Sequence, residues 1–529
     1  MTSPLNQHRQ LNPHNPGGHL PEGFERLLLT PFDDVVGGEF DVIIIGGGAT
    51  AAVTMKRLLD LAPDIRVLIL EQGPYLLPDH VQNLGSVYQP LMNMAGATPW
   101  RSRGDLEFVF QVPYLGGRTL FWSGASPRPT AHQLAGWPST VVQELDREWA
   151  EATEIIGARP ASDLGPEFGS LNSQLRRRIH EHAGPGSHLR LPADPRELDA
   201  PLGMMATSEP GATRKFSAVP VLLSAVRAHP RSVSIVPRCK VTGLVAANDH
   251  VTALRTTLGE LPVGHAHVVL AMGTIENTEV VLRSLPGPDT RLAGSNLAGN
   301  AASFFNCRME RDAFSDLATE RPELAALYLD GATADREFVL HLSASATVAQ
   351  ERDVETVYRL LPDVFGEGTT DRLTDPDHVV FLVNGVSEVA GERAADSASR
   401  IFLDEDGSTV GAFRLNRSDR EAWDALDQTT DEVLGLVSQG SKIEFWSPER
   451  RRWDSTPARN RRMPFAFLES GTLWMGDSPQ DSVTDLNGRL HAVDNVYVTG
   501  SALFPTRGSW NPMLTMAALS LRLARHLVR

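Results

Sequence analysis

The sequence predicts a two-domain α/β protein in which a parallel-sheet domain, assembled from separated segments, carries an inserted α+β domain built on an antiparallel sheet. Three observations lead there. The first is an apolar run, Phe40-Asp-Val-Ile-Ile-Ile45, that passes through a glycine turn and a helical pattern into a second run, Ile65-Arg-Val-Leu-Ile-Leu70. Continuous apolar runs of this length suit strands buried on both faces of a parallel sheet. The second is a late return of the same pattern: Asn495-Val-Tyr-Val498 leads through Thr499-Gly-Ser501 towards a long amphipathic helix at the C-terminus. The third lies between them, where Glu337–Ser345 and His378–Val383 alternate with period 2 and read as antiparallel sheet. With 529 residues, the chain also exceeds what one core usually organises.

Each residue of the first unit has a physical task. Gly46 permits a tight turn after the first strand, Gly48 lets backbone approach a pyrophosphate, and Ala51 lets helix and strand pack closely. Glu71 ends the second strand and can accept from a ribose hydroxyl. Strand, GxGxxA turn, helix and terminal acid together point to a bound dinucleotide. This unit alone does not separate NAD from FAD. At the other end of the chain, Asn511-Pro512 opens the closing helix, and proline suits a first helical turn. That helix start offers free N–H groups and a partial positive charge, a site for an anion.

The whole pattern resembles the glucose–methanol–choline (GMC) oxidoreductase family, whose members bind FAD. Besides the two termini, three segments carry the resemblance. Tyr114–Ser123, with Gly116, Gly117, Thr119 and Trp122, is similar to the family's glycine-rich loop over the isoalloxazine. Val268–Asn277, with Gly273, looks like the strand-to-helix element beside the phosphoribityl and adenine side. Ser234–Gly243 matches the strand whose backbone touches adenine, Val241 being the matching position. The resemblance further implies that Asn511, Pro512 and Met513 meet the flavin. The Trp122 loop and the Thr-Gly-Ser turn look nearer the pyranose-oxidase-like branch. Some of those enzymes tether the flavin through a histidine where this chain has Phe121, so the resemblance implies noncovalent FAD. The expected organisation is an irregular arm over 1–37, a Rossmann-like FAD-binding domain over 38–126, 217–290 and 465–529, and a substrate-binding cap over 127–216 and 291–464.

The resemblance also implies chemistry: hydride transfer from a small organic substrate (alcohol, sugar or natural-product intermediate) to flavin N5. Relatives place a catalytic histidine three residues before a Gly-Thr pair, and a second His or Asn before the helix-opening proline. The second is present as Asn511. The first position holds Leu468, which neither takes a proton nor donates a hydrogen bond. Losing a positioned base commonly costs ~10²–10⁴-fold in rate. Asn296-Leu-Ala-Gly-Asn300 departs from the family again, with Gly299 and Asn300 replacing two polar or titratable groups. Four readings stay open. A base comes from elsewhere, His341 or His378 on the substrate-domain strands being candidates, whereas strand alternation points Glu469 away from the Leu468 face. The substrate needs no strong base. The flavin serves an isomerase, lyase or decarboxylase. Or the chain is a flavin-binding paralogue that acts through interaction.

Composition sets the outer bounds. Hydrophobic content of 41% and charged content of 22% are ordinary for a globular protein, and the formal charge of −16 argues against nucleic acid or an anionic membrane as partner. Two distant cysteines, Cys239 and Cys307, exclude a disulfide framework or a cysteine-based zinc site, and no metal is expected. The first residues lack the pattern of a secretory signal and no apolar run is bilayer-long, so a cytoplasmic protein is expected. His8, His14 and His19 lie in the irregular arm and read as a solvated tail. Arg451, Arg452, Arg459, Arg461 and Arg462 form a basic cluster, either a solvated loop or an anion-recognising lid.

Overall fold

The computed structural model describes residues 28–108, 111–184, 186–206, 213–364, 368–456 and 461–529. The three N-terminal histidines and Arg459 lie outside the described residues. The apolar runs at the two ends of the chain meet in one five-stranded parallel sheet. Its order is Val496–Val498, His267–Leu270, Val42–Ile45, Val67–Leu70 and Val233–Val236. The central strands are buried along their whole length, which explains their lack of alternation. The helix Ala49–Leu61 follows the first strand, and the closing helix Met513–Leu527 packs against it. Ile44, Ala51 and Tyr497 share the core on that side.

The second layer is an eight-stranded sheet. Glu323–Ala332, Glu337–Ala346, His378–Val389, Ala298–Glu310, Ile443–Ser447 and Arg452–Asp454 form its main path, all antiparallel. Arg462–Ser470 pairs with Ala298–Glu310 and brings the chain back towards the parallel sheet. One face of this sheet is covered by the helix Arg417–Ser438, whose Trp423, Leu426 and Val433 share a core with Phe338, Leu340 and Val383. That helix starts at a capping box between Asn416 and Asp419, the kind of cap that contributes about 1 kcal/mol. The opposite face carries Tyr328, His341 and Asn300, and looks towards the closing helix through His341 and Asn511.

Three stretches differ from the sequence reading. Ser234–Gly243 is not one strand. Val233–Val236 belongs to the parallel sheet, Arg238 turns at φ 57°, and Val241 opens the separate antiparallel strand Val241–Ala247. The sequence is acidic and amphipathic over 141–156 as if in one helix, but the chain forms two there, Ser139–Leu145 and Trp149–Ile156. Pro512 caps the last helix from outside rather than lying in its first turn.

Candidate active site

A cradle forms where the glycine turns of the parallel sheet face one another. Gly46 leaves the first strand at φ 103°, and a Cβ there would lie 2.6 Å from the Ala271 carbonyl oxygen, so only glycine fits. Gly48 caps the following helix, and a Cβ on it would meet nothing within 4 Å. Gly117 faces it across the gap: its own Cβ would come 3.4 Å from the Gly48 Cα. The glycine-rich loop is tied to the fingerprint by a 2.8 Å bond from the Gly116 N–H to the Gly47 carbonyl. Gly273 caps the helix Thr274–Ser284. The turn at Gly500 and Ser501 joins three helix starts. A Cβ on Gly500 would come 3.6 Å from Thr50 and 3.9 Å from Met516, while the Ser501 and Thr274 hydroxyls are 3.0 Å apart. Three N-termini with free donors therefore surround one gap, an arrangement suited to a phosphate-bearing ligand.

The other cofactor-side residues brace this cradle. Both Glu71 oxygens accept from backbone, Oε2 from Gly47 at 2.7 Å and Oε1 from Gly73 at 2.8 Å. Burial raises its pKa, opposed by those bonds. Each oxygen keeps a second lone pair for a ribose hydroxyl. The Thr119 hydroxyl donates to the Gly116 carbonyl at 2.6 Å and accepts from Ala218 N at 2.9 Å, so it holds the loop in shape. Trp122 donates from Nε1 to the Phe216 carbonyl. Ala51 and Val241 are core residues. Glu276, in the first turn after Gly273, is pushed up to about 8 by burial, and its Oε1 has no hydrogen-bond partner.

Leu468 sits at φ 58° where the pairing of Arg462–Ser470 with Ala298–Glu310 slips register. This irregularity corrects the alternation argument for Glu469, because strict period 2 does not run through the slip. Glu469 is buried and its carboxylate pairs with Arg118 of the glycine-rich loop at 2.6 Å. Its carbonyl accepts from Thr274 and Ser501. Behind Leu468 lies Arg507, which is 2% exposed and donates from Nε to the Leu468 carbonyl (3.4 Å) and from Nη2 to Asn300 Oδ1 (3.1 Å). Arg507 Nη1 and Asn300 Nδ2 are buried without partners, and among the described residues no carboxylate pairs with this guanidinium. Burial lowers its pKa to about 10.

The two candidate histidines part company. His378 pairs with Asp375 at 3.1 Å, at the start of its strand and next to Arg308. His341 lies in the middle of the sheet, opposite Tyr328 and Asn384, and is buried. Its Nδ1 lies 2.8 Å from Asp363 Oδ2 and its Nε2 lies 3.1 Å from Asn511 Oδ1. The Tyr328 ring lies against the imidazole with centroids 4.9 Å apart, and its hydroxyl lies beside the Asn511 backbone N–H. Asp363 and Arg507 are the residues the sequence reading missed. Arg507 had a signal, being the lone charged residue between Asp494 and Arg522 and four positions before Asn511; Asp363 had none.

The arrangement fits the cofactor that the resemblance implies. Gly48, Gly117, Gly273 and Gly500 leave room that side chains would fill, and the helix starts supply donors for a pyrophosphate. Among the described residues, no helix is long and apolar enough to cross a membrane, and no cluster of His, Cys, Asp and Glu could hold a metal ion.

Comparison with known proteins agrees. Residues 396–520 match the family model described as GMC oxidoreductase. The chain is similar to 6'''-hydroxyparomomycin C oxidase of Streptomyces lividus, 25% identical over 92% of this chain and 91% of that one. It is equally similar to paromamine 6'-oxidase of Streptomyces fradiae, 25% identical over 92% and 91%. Among solved structures, formate oxidase of Aspergillus oryzae superposes with a TM-score of 0.61 at 15% identity, covering 93% of this chain and 98% of that one. Residues 396–520 thus form a GMC oxidoreductase C-terminal domain, and the relatives that run along nearly the full length are named as oxidases, which supports an FAD-dependent oxidoreductase.

Proposed function

We propose that this enzyme binds FAD without a covalent link and oxidises a hydroxyl group of a small polar substrate of the sugar or aminoglycoside kind. One observation carries the reading. Asn511 stands between the glycine cradle and a buried polar face made of Asn300, Tyr328, His341 and Arg507. Gly46, Gly48, Glu71, Gly116, Gly117 and Gly273 would hold the cofactor, braced by Ala51, Thr119, Trp122 and Val241. Pro512 and Met513 set the helix end against it. When bound, FAD supplies a hydride acceptor at N5. The Asn511 carboxamide holds the substrate oxygen. Leu468 closes the site on the side where relatives keep an imidazole, so no proton is taken there. Arg507, an unpaired cation behind that leucine, favours negative charge developing on the substrate oxygen.

The substrate class rests on two supports. The relatives that match along nearly the full length are named as oxidases of paromamine and hydroxyparomomycin. A site edged with buried donors also suits a ligand rich in hydroxyl and amino groups, since such donors reject an apolar ligand that leaves them unpaired. Anaerobic mixing of the flavin-loaded protein with sugars, aminoglycosides, simple alcohols and amines tests this. Bleaching by polyhydroxylated substrates is expected. Product formation without bleaching would move the enzyme to non-redox use of the flavin, and a protein inert to every class would leave only an interaction role. Acid precipitation should release the flavin; flavin that stays with the pellet refutes the noncovalent link.

A further inference from the structure

We propose that the Asp363–His341 pair is a positioning device that decides which end of the Asn511 carboxamide faces the reacting centre. The proposal rests on the reading above, that Asn511 holds the substrate oxygen. Asp363 lies beyond the helix Gln350–Leu360, in a left-handed conformation (φ 58°), and is 2% exposed. Nothing in the catalytic pattern of the sequence places it near Asn511, 148 positions later.

The chemistry follows from donors and acceptors. An ionised carboxylate only accepts, so the 2.8 Å contact makes His341 Nδ1 a donor to Asp363. In the neutral ring this leaves Nε2 as an acceptor, which requires an N–H from the Asn511 amide and turns Oδ1 towards the substrate. That oxygen accepts the hydrogen of a bound hydroxyl. When the ring is protonated, Nε2–H donates to Oδ1 at 3.1 Å, and the amide NH₂ turns to the substrate instead. That end donates to an alkoxide or to a product carbonyl. One side chain thus presents opposite partners before and after the ring gains a proton. The two amide orientations have the same shape, so the exchange needs no movement of the surrounding strands.

The groups around the pair keep it poised. Lys215, fully buried, donates to Gln82 and to the Leu361 carbonyl, and its charge faces Asp363 from the far side. Burial lowers the Lys215 pKa to about 7 and the nearby Asp363 opposes that fall, so charge on one supports charge on the other. His80 lies against the same lysine. On the neighbouring strand, Asp330 shares the His341 face and is raised to about 6 by burial, with His341 acting to lower it. Tyr328 and the Arg507 cation complete the surroundings.

The test uses the flavin-loaded protein with a substrate that bleaches it, following reduction rate against pH in wild type, His341→Gln and Asp363→Asn. Glutamine keeps a hydrogen-bonding group for Asn511 but does not titrate. Removing a positioned acid–base group lowers rates by roughly 10²–10⁴-fold. The expected result is a reduction rate lowered in that range and an unchanged flavin content in both variants, with one pH break lost in His341→Gln and displaced in Asp363→Asn, where the imidazole still takes a proton. A second readout needs no turnover: ¹⁵N spectra of histidine-labelled protein should show His341 as the Nδ1–H tautomer, shifting towards Nε2–H in Asp363→Asn. Retention of the pH break in both variants, or an Nε2–H tautomer in wild type, overturns the proposal. Asn511→Ala separates it from its foundation. If that variant reduces as fast as wild type, the reading of Asn511 fails; if it is slow while the histidine variants keep the break, only the positioning role fails.

Discussion

The glycine cradle proposed for the cofactor and the sheet face proposed for the substrate are built from different materials. The cradle is mostly backbone: glycines that leave room, helix starts that leave N–H groups free, and a carboxylate, Glu71, bound to two backbone amides. The sheet face is side chain throughout, with Asn300, Tyr328, His341 and Arg507 brought together from strands and a loop far apart in sequence. A backbone site tolerates drift in most side chains while its glycines stay. A side-chain site can be rebuilt, and here an arginine lies behind Leu468 while a histidine and an aspartate stand in line with Asn511. The difference makes the two regions respond to mutation in opposite ways.

The sharpest break should come at Gly48. Its φ of −91° is open to any residue, so Gly48→Val should fold, yet the branched side chain enters the gap facing Gly117. Flavin affinity should drop on the order of 100-fold, about 2.7 kcal/mol, with little change in the unfolding midpoint. The ratio of flavin to protein absorbance after purification and dialysis reports this directly. A fully loaded valine variant would show that the cradle is not where the cofactor lies.

The matching experiment on the sheet face is Arg507→Met. Here flavin content should hold and the rate of flavin reduction should fall, by roughly 10²–10³-fold if the cation stabilises charge on the substrate oxygen. Stability should change little. The variant removes a buried charge that no carboxylate pairs with, which offsets the lost bonds to Leu468 and Asn300. Thermal midpoint and anaerobic reduction, measured on the same sample, separate the two effects. A large loss of stability with unchanged chemistry would make Arg507 part of the scaffold.

Acid should weaken the seam between the regions. His80 is held at about 3 by burial and then by the Lys215 charge, while its Nε2 bonds the Trp122 carbonyl of the glycine-rich loop. Its usual value in an unfolded chain is near 6.5. Between those two values the unfolded state binds the extra proton, so stability contributed by neutral His80 is present above about 6.5 and falls as pH drops towards 3. The slope is about 1.4 kcal/mol per pH unit for this one group. Urea unfolding at pH 7 and pH 5.5 measures it, and His80→Gln should flatten that segment of the curve. Glu276 acts in the opposite sense. Raised to about 8 from its usual 4.5, it favours the folded state below 4.5 and loses that contribution as pH rises to 8.

How far each region could be read from sequence follows from the same contrast. Gly46, Gly48, Ala51 and Glu71 fall within 26 consecutive residues, and their spacing is itself the geometry of a strand, turn and helix. The five-stranded sheet was legible for that reason, as were the closing helix and the period-2 strands. His341 was legible only as a residue type on a strand. Its meaning depends on Asp363, held across a tertiary contact, and on Asn511, at the far end of the chain. The misreadings are of the same origin. Glu469 was assigned a direction by alternation, and the register slip at Leu468 undoes it. Ser234–Gly243 was legible as one strand only through its match to a strand of the family, yet Pro237 and a left-handed turn at Arg238 hand the chain to another sheet.

A milder change probes the seam itself. Leu468 holds a left-handed backbone conformation that histidine and asparagine adopt more readily than leucine. Leu468→His should therefore fold, with stability within about 1 kcal/mol of the parent. An imidazole at this position should keep or raise the rate on a small alcohol by a few-fold, far less than the ~10²-fold a new base can supply, because Arg507 sits behind the position. Loss of flavin in this variant would instead mean that the leucine packs against the ring, a packing role that belongs to the cradle.

The smallest effect should come from the basic cluster before the Leu468 strand. As a lid for anionic substrates, its arginines would have to be free; the described ones are mostly spoken for. Arg462 bonds Asp427 at 2.7 Å and Asp424 at 2.5 Å and lies over the Trp423 ring, while Arg461 bonds Asp431 at 2.7 Å. All four partners lie on the helix Arg417–Ser438, which covers the face of the large sheet away from His341. The pairs are partly exposed, so Arg462→Ala should cost less than about 1 kcal/mol and lose part of that in high salt. It should leave KM untouched for neutral and anionic substrates alike. A rise in KM confined to anionic substrates would restore the lid, and would extend the side-chain site around the edge of the sheet to a surface where its charges are now satisfied by the protein's own acids.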